Sequence, residues 1–191
     1  MRITGGRFRG RVLQPPKDGR VRPTSDKVRQ AVFNLLAHHD FDESFTLEGV
    51  RVIDLFAGTG ALGIEALSRG AVFSLFVDNH AESRALIRRN VEALGLTGAT
   101  KVWRRDATAL GPMPEGAGGP FELVFLDPPY RELRIPDALV GLVHGNWLEP
   151  SAIVVAESAK DEKLVRTTGF ELCLERSYGD TRIGVMRLAP P

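Results

Sequence analysis

The period of apolar and polar positions along the chain changes near residue 50. Before that point, Val28, Val32 and Leu35 recur at helical spacing behind Thr24-Ser25-Asp26, where a side-chain oxygen can cap the first free N–H groups of a helix. After it, short apolar runs alternate with amphipathic segments. The runs predict buried strands at 50–56, 72–77, 101–104, 121–126 and 152–156, and the segments between them predict helices at 61–68, 81–94 and 136–144.

Both ends of the chain predict hairpins. Residues 3–13 alternate loosely around glycines, which favours a short hairpin. Residues 170–177 and 182–188 flank the turn sequence Tyr178-Gly179-Asp180-Thr181 and predict a closing antiparallel hairpin. The four glycines and three prolines within 111–120 predict a mobile loop.

Alternation of apolar strands with helices predicts an α/β fold. We expect a doubly wound, mostly parallel, seven-stranded Rossmann-like sheet with the antiparallel hairpin at its C-terminal edge. The chain then divides into a small basic hairpin-and-helix extension, residues 1–45, and a sheet domain, residues 46–191.

An acidic residue follows or ends each of the first four predicted strands. They are Asp54, Asp78, Asp106 and Asp127. Because doubly wound sheets bind ligands at the carboxyl ends of their strands, these side chains are expected to surround one crevice. A buried carboxylate is costly without a partner, so the crevice is predicted to hold a polar or cationic ligand.

A glycine loop joins the first strand to the next helix. Gly58, Gly60 and Gly63 match G-x-G-x-x-G, a pattern that lets the backbone turn tightly and approach a ligand closely. Asp78 follows Gly58 by 20 residues and can accept hydrogen bonds from two ribose hydroxyls. These features fit a nicotinamide or flavin dinucleotide as well as they fit S-adenosylmethionine.

The tetrapeptide Asp127-Pro128-Pro129-Tyr130 favours methyl transfer to an exocyclic base nitrogen. The lone pair of such a nitrogen is conjugated with its ring, so it attacks well only when the amino group is held in a fixed orientation. The Asp127 carboxylate and the Pro128 carbonyl can accept its two N–H groups, and proline keeps these acceptors rigid. Tyr130 offers a face on which a flipped-out base can stack.

Basic residues cluster at the start of an otherwise balanced chain. The 191 residues carry 25 basic and 24 acidic side chains, yet residues 1–29 hold nine basic and two acidic ones. This asymmetry favours a nucleic acid as partner.

Composition excludes several other classes of protein. The single cysteine, Cys173, excludes an internal disulfide and a cysteine-only zinc site, and no metal is expected. No apolar run reaches 18 residues and the N-terminus has no signal-peptide pattern, so we expect a cytoplasmic protein without a membrane span.

Taken together, the chain resembles a class I S-adenosylmethionine-dependent methyltransferase that acts on amino groups. More narrowly, it resembles the bacterial 16S ribosomal RNA guanine-N2 methyltransferases, the family that modifies guanine 966. The resemblance covers nearly the whole chain. It rests on the segments Arg2–Gly6, Arg22–Arg29, Ala31–Leu36, Asp54–Gly63, Asp127–Tyr130 and Tyr178–Thr181.

The resemblance implies a Rossmann-like methyltransferase fold and a role for each motif. Asp54, Phe56, Gly58, Thr59 and Gly60 would line the methionine end of S-adenosylmethionine, Asp78 would hold the ribose, and Asp106 would approach the adenine. Asp127, Pro128, Pro129 and Tyr130 would hold the target guanine, and Arg7, Arg9, Arg11 and Arg22 would contact RNA phosphates. The implied products are N2-methylguanine and S-adenosylhomocysteine, and the implied partner is 16S rRNA within the small ribosomal subunit or an assembly intermediate, bound by a monomer.

Three other functions remain open at this point. An adenine-N6 methyltransferase on DNA or RNA would use the same tetrapeptide. A nicotinamide-dependent oxidoreductase would need a proton donor for which no His or Lys stands at the end of the fourth strand. A non-catalytic RNA-binding module for ribosome assembly would retain the fold and lack turnover.

Overall fold

The structure is a computed structural model that describes residues 1–16, 25–38, 45–130, 132, 134–162 and 167–189. Its helices are α1 Asp26–His38, α2 Ala61–Ser68, α3 Ala81–Ala93 and α4 Ile135–His144. Its strands are β1 Arg51–Leu55, β2 Phe73–Val77, β3 Thr100–Trp103, β4 Phe121–Leu126, β5 Leu148–Ala159, β6 Phe170–Tyr178 and β7 Thr181–Leu188.

All of these strands form one sheet, in the order β3-β2-β1-β4-β5-β7-β6. Strands β1 to β5 run parallel to their neighbours in that series, whereas β7 pairs antiparallel with both β5 and β6. The direction of winding reverses between β1 and β4, where the carboxyl ends of the strands leave a crevice. The predicted doubly wound α/β fold with a C-terminal antiparallel hairpin is therefore confirmed.

Most predicted elements agree with the structure to within one or two residues. The start of α1 is also confirmed, because the Ser25 hydroxyl accepts a hydrogen bond of 3.2 Å from the Val28 N–H. The neighbouring Thr24 lies outside the described residues. The largest difference is β5, which has 12 residues rather than five, because it pairs with β4 on one side and continues along β7 to Ala159 on the other.

Two segments with many glycines differ from the expectation. The hairpin predicted at residues 3–13 is reduced to one antiparallel bridge between Arg2 and Val12, and the chain between them forms turns. The loop at 111–120, predicted to be mobile, is packed against the sheet. Ala117 is buried there, and the Met113 N–H donates a hydrogen bond of 2.8 Å to the Gly145 carbonyl.

Helices cover both faces of the sheet, as doubly wound folds require. One apolar cluster joins α1, α2 and α3 to the face that carries Leu123 and Phe125, and the other joins α4 to the face that carries Val124 and Leu126. The N-terminal segment belongs to the first cluster through Ile3 and Leu13, both nearly inaccessible to solvent. Within residues 1–16 and 25–38, several apolar side chains thus pack in the core of the sheet, and the domain boundary at residue 45 remains a prediction.

A buried ion-pair network also fastens the N-terminal segment. Glu65 of α2 is fully buried and accepts hydrogen bonds from the guanidinium groups of Arg29 and Arg69, at 3.2 and 2.8 Å. The same carboxylate accepts the Thr4 and Gly5 N–H groups, at 2.9 and 2.8 Å. Because Arg29 is itself fully buried, it belongs to this network, and the basic N-terminal surface is smaller than the sequence count indicates.

Within the described part of the chain, no helix combines the length and apolarity that crossing a bilayer requires.

Candidate functional site

The four acidic residues predicted to converge do so. Asp54, Asp78, Asp106 and Asp127 all line one cavity of about 1200 Å³ at the carboxyl ends of β1 to β4. The parallel registers of β1 with β2 and β4, and of β2 with β3, place the four strand ends side by side. The cavity lies where the sheet reverses its winding, which is the usual ligand position in this fold class.

The glycine loop between β1 and α2 forms one wall of this cavity. Phe56, Gly58 and Gly60 have positive φ angles of 58°, 53° and 76°. For Phe56, a residue with a Cβ, this left-handed conformation costs roughly 1–3 kcal/mol, so the surrounding turn holds it there. The Gly60 N–H closes the turn on the Ala57 carbonyl at 2.7 Å.

Gly60 lies differently from the expectation for a cofactor-binding residue. Phe56, Gly58 and Thr59 line the cavity, whereas Gly60 is the N-cap residue of α2 and is not among the lining residues. A Cβ atom at Gly60 would lie 3.2 Å from Ile87 and 3.3 Å from Phe76. In the structure, Gly60 closes the turn through its hydrogen bond to Ala57, and Phe56, Gly58 and Thr59 form the wall of the cavity.

Burial controls the protonation of Asp54. Its side chain is almost inaccessible, and its Oδ2 accepts a hydrogen bond of 3.0 Å from the Gly63 N–H. Burial raises the pKa of Asp54 to about 8, the neighbouring charge of Asp78 acts in the same direction, and the Gly63 N–H opposes both. A cationic group in the cavity would favour the ionised carboxylate.

Asp78 connects the glycine loop with the end of β2. Its Oδ2 accepts the Gly58 N–H at 2.9 Å, and its Oδ1 accepts the His80 N–H at 2.8 Å. The carboxylate therefore positions both loops while it lines the cavity. A carboxylate has about four acceptor positions, so these contacts are compatible with the predicted ribose hydrogen bonds.

Asp106 stabilises the turn that follows β3. Its Oδ1 accepts hydrogen bonds from the Thr108 N–H at 2.9 Å and from the Thr108 hydroxyl at 2.7 Å. These two hydrogen bonds lower the pKa of Asp106, so the carboxyl is ionised at neutral pH. The residue is exposed and borders the cavity, and its approach to the adenine remains a prediction.

The predicted catalytic tetrapeptide leaves the end of β4. Asp127, Pro128, Pro129 and Tyr130 all line the cavity, with Pro128 buried and Pro129 exposed. The Tyr130 hydroxyl donates a hydrogen bond of 2.7 Å to Glu157 Oε1 and lies 3.0 Å from the Thr181 hydroxyl. Burial raises the pKa of Tyr130, so the phenol keeps its proton.

Glu157 and Thr181 were missed by the sequence reasoning, although both line the cavity. Glu157 is the first acidic residue after the apolar run 152–156, so applying the strand-end rule to a fifth strand would have found it. Thr181 ends the quoted turn Tyr178–Thr181, but only the β5–β7 pairing brings it to Tyr130.

Three of the four predicted RNA-contacting arginines are described, and they lie outside the cavity. Arg7, Arg9 and Arg11 are exposed on the N-terminal segment, and Arg22 lies outside the described residues. The segment continues into Pro15 and Pro16, which line the cavity. An exposed basic surface thus leads to the site, and its contact with RNA remains a prediction.

Comparisons with known proteins identify the family of this chain. The family described as Conserved hypothetical protein 95 matches residues 1–187. The provisionally named rRNA methyltransferase YlbH of Bacillus subtilis (strain 168) is 35% identical over 189 residues, which cover 98% of each chain. Ribosomal RNA small subunit methyltransferase D of Escherichia coli (strain K12) is 35% identical over 165 residues, covering 86% of this chain and 77% of its own.

A solved structure shows the same fold. The provisionally named methyltransferase yhhF from Escherichia coli superposes with a TM-score of 0.82 and 27% identity, covering 100% of this chain and 99% of its own. The chain therefore belongs to the Conserved hypothetical protein 95 family and to the family of the small-subunit rRNA methyltransferases D, which is the family that its motifs resemble.

Proposed function

We propose that this protein transfers a methyl group from S-adenosylmethionine to the exocyclic N2 amino group of a guanine in 16S rRNA. The observation that carries the proposal is that Asp127, Pro128 and Tyr130 line the same cavity as Gly58 and Asp78. Hydrogen-bond acceptors for an amino group thus share the cavity with the glycine loop and with Asp78, a carboxylate placed to bind a ribose. The names of the two rRNA methyltransferase relatives support an RNA substrate.

The residues around the cavity fit this cofactor. The volume of about 1200 Å³ exceeds that of most single-ligand pockets, so a nucleoside cofactor and a flipped base fit together. Asp54 is a buried carboxyl whose ionised form needs a cationic neighbour, and the cofactor carries cationic sulfonium and amino groups. When bound, S-adenosylmethionine supplies an electrophilic methyl group on its positively charged sulfur.

The residues after β4 orient the nucleophile in this proposal. The Asp127 carboxylate and the Pro128 carbonyl accept the two N–H groups of the guanine amino group, so that its lone pair points across the cavity. Proline fixes both acceptors, and the Tyr130 ring stacks on the base. The nitrogen becomes cationic when the new bond forms, and the Asp127 carboxylate then accepts one of its protons.

The exposed arginines of the N-terminal segment bind RNA in the same proposal. Arg7, Arg9 and Arg11 contact phosphates while the base enters the cavity beside Pro15 and Pro16. Phosphate contacts make binding weaken as the salt concentration rises, because bound RNA releases condensed counterions.

Substitution of Asp127 tests the proposal. The assay measures transfer of labelled methyl from S-adenosylmethionine into small ribosomal subunits that lack this modification, followed by mass spectrometry of the nucleosides. We expect N2-methylguanosine with the unchanged protein and a loss of roughly 100-fold or more with Asp127→Ala, because the amino group loses its orienting acceptor. Calorimetry should show unchanged binding of S-adenosylhomocysteine.

Asp137→Asn is the matched control, because Asp137 is an exposed carboxyl of α4 outside this cavity, and its activity should be unchanged. Equal loss of methyl transfer and cofactor binding in Asp127→Ala would mean that Asp127 is structural. N6-methyladenosine as the product would favour the adenine methyltransferase. Cofactor binding without any incorporation would favour the non-catalytic module.

A further inference from the structure

Guanine and adenine both carry an exocyclic amino group, so acceptors for that group alone do not distinguish them. The two bases differ beside it: guanine has a donor at N1, whereas N1 of adenine is an acceptor. A site that selects guanine therefore needs a second fixed acceptor next to the one that holds the amino group.

Glu157 supplies such an acceptor at the neighbouring strand end. Leu126 of β4 pairs with Ala156 of β5 in parallel register, so Asp127 and Glu157 occupy the next position on each strand. Adjacent strands lie about 4.8 Å apart, and residues in register point to the same face of a sheet. The two carboxyl groups thus leave the sheet side by side, and both line the cavity.

Tyr130 fixes the position of the Glu157 side chain. Glu157 is only 6% exposed, and its Oε1 accepts the Tyr130 hydroxyl at 2.7 Å. The hydroxyl lies on the edge of the ring, so the carboxylate stands beside a base that stacks on the ring face. A carboxylate has about four acceptor positions, so this hydrogen bond is compatible with a further one from a base.

From this geometry, and resting on the function proposed above, we propose that Glu157 selects guanine over adenine by accepting a hydrogen bond from guanine N1–H. Asp127 and Pro128 hold the adjacent amino group in the same base. With adenine in that position, the N1 lone pair would face the carboxylate, and two acceptors would repel each other in a site with little water. The selection thus combines a hydrogen bond to guanine with an unfavourable contact to adenine.

2-Aminopurine tests this contact, because it keeps the amino group at position 2 but has a bare acceptor at N1. It also lacks the O6 carbonyl of guanine, and this second difference is the same for every protein variant compared. The assay uses small subunits reconstituted with a synthetic RNA segment that carries either guanosine or 2-aminopurine riboside at the modified position. That position is first mapped with the unchanged protein. The measured quantity is kcat/KM for methyl transfer to each base.

We expect the unchanged protein to prefer guanine by roughly 10- to 100-fold, as one charge-assisted hydrogen bond allows. Glu157→Gln should lose activity on guanine and bring the ratio between the two bases close to one, because the amide can rotate and donate to a bare N1. Binding of S-adenosylhomocysteine should stay unchanged, since Glu157 is assigned to the base.

Two further variants separate selection from positioning. Tyr130→Phe removes the hydroxyl that holds Glu157 but keeps the carboxylate, so it should lower the ratio between the two bases by less than Glu157→Gln does. Glu149→Gln makes the same acid-to-amide change at the opposite end of β5, outside the cavity, and should behave like the unchanged protein.

Several results would overturn the proposal. Equal loss on both bases in Glu157→Gln would mean that Glu157 only positions Tyr130, and no loss would mean that it has neither role. If the unchanged protein treats guanine and 2-aminopurine alike, the proposal fails whether or not a variant folds. If it forms no N2-methylguanosine even on guanosine subunits, the proposed function itself fails, which is a separate result.

Discussion

At the scale of single residues, burial decides which carboxyl and hydroxyl groups of the cavity carry a proton. Asp54 lies beneath the glycine loop with its pKa raised to about 8, mainly by burial. Asp106, exposed and hydrogen-bonded by Thr108, has its pKa lowered instead. The cavity thus presents a protonated carboxyl where we place the cationic end of the cofactor and an ionised one at its rim.

The raised pKa of Asp54 predicts a pH dependence. Because the folded state holds this proton more tightly than the unfolded chain does, Asp54 contributes stability at low pH and loses it as pH rises from about 4 to about 8. The urea midpoint of the ligand-free protein should therefore fall further between pH 5.5 and pH 9 than that of Asp54→Asn, whose amide can still accept the Gly63 N–H. Parallel curves would contradict the assignment.

Asp54 also predicts a pH dependence for cofactor affinity, opposite in direction to that for stability. A cation is bound more tightly by the ionised carboxylate, so affinity for S-adenosylmethionine should rise with pH through about 8. Calorimetric titrations should show affinity rising with pH in the unchanged protein relative to Asp54→Asn. The two are compared at each pH because the α-amino group of the cofactor also titrates at about pH 8.

At the scale of elements, the close approach of α2 to β2 determines the shape of the glycine loop. Gly63 lies in the first turn of α2, where a Cβ atom would stand 2.5 Å from both Phe76 and the Ser74 hydroxyl. The absence of a side chain lets the helix lie against the strand, and its N–H thereby reaches Asp54. Gly63 therefore allows α2 to pack closely on β2 and also donates the hydrogen bond that favours the ionised form of Asp54.

Replacing this glycine should separate α2 from β2. Gly63→Ala forces the methyl group into the Phe76 ring, and we expect a loss of about 1–3 kcal/mol in the free energy of unfolding, despite the better helix propensity of alanine. Gly98→Ala is the control, because no atom lies within 4 Å of a Cβ at that position. Denaturant unfolding of both variants tests this, and equal stability would mean that the contact adjusts freely.

At the scale of the whole molecule, the N-terminal segment is part of the folded core. Glu65 binds the backbone of Thr4 and Gly5 and pairs with the buried Arg29, so residues distant in sequence meet at one carboxylate. Removing one partner of a buried pair is costly, even though Arg29 also pairs with Asp26 at 2.8 Å. The surface that we assign to RNA therefore has a defined position relative to the cavity.

Glu65→Gln should destabilise the whole fold by about 3 kcal/mol, because the buried Arg29 loses one of its two acidic partners and keeps the half-exposed Asp26. The exposed Glu92→Gln on α3 should change the free energy of unfolding very little. Thermal unfolding distinguishes the variants. A separate early transition of the N-terminal segment in Glu65→Gln would show that the network fastens this segment alone.

Local patterns in the amino-acid sequence were sufficient to predict the strands, most helix boundaries, the glycine turn and the order of the motifs. Apolar runs, capping residues such as Ser25 and turn residues act over a few neighbouring positions, so their consequences are readable without a fold. The convergence of Asp54, Asp78, Asp106 and Asp127 also followed, because parallel strands end at one edge of a sheet.

Contacts between side chains that are distant in the sequence became visible in the three-dimensional structure alone. Glu157 and Thr181 reach the Tyr130 hydroxyl because β5 pairs with β4 on one side and with the antiparallel β7 on the other. The sequence counts Arg29 among the clustered basic residues of the N-terminal segment, whereas the structure shows it buried and paired with Glu65. Glu157 and Thr181 follow Tyr130 by 27 and 51 positions, too far for a shared local pattern. Their contacts therefore depend on the order of strands in the sheet, which side-chain periodicity does not encode.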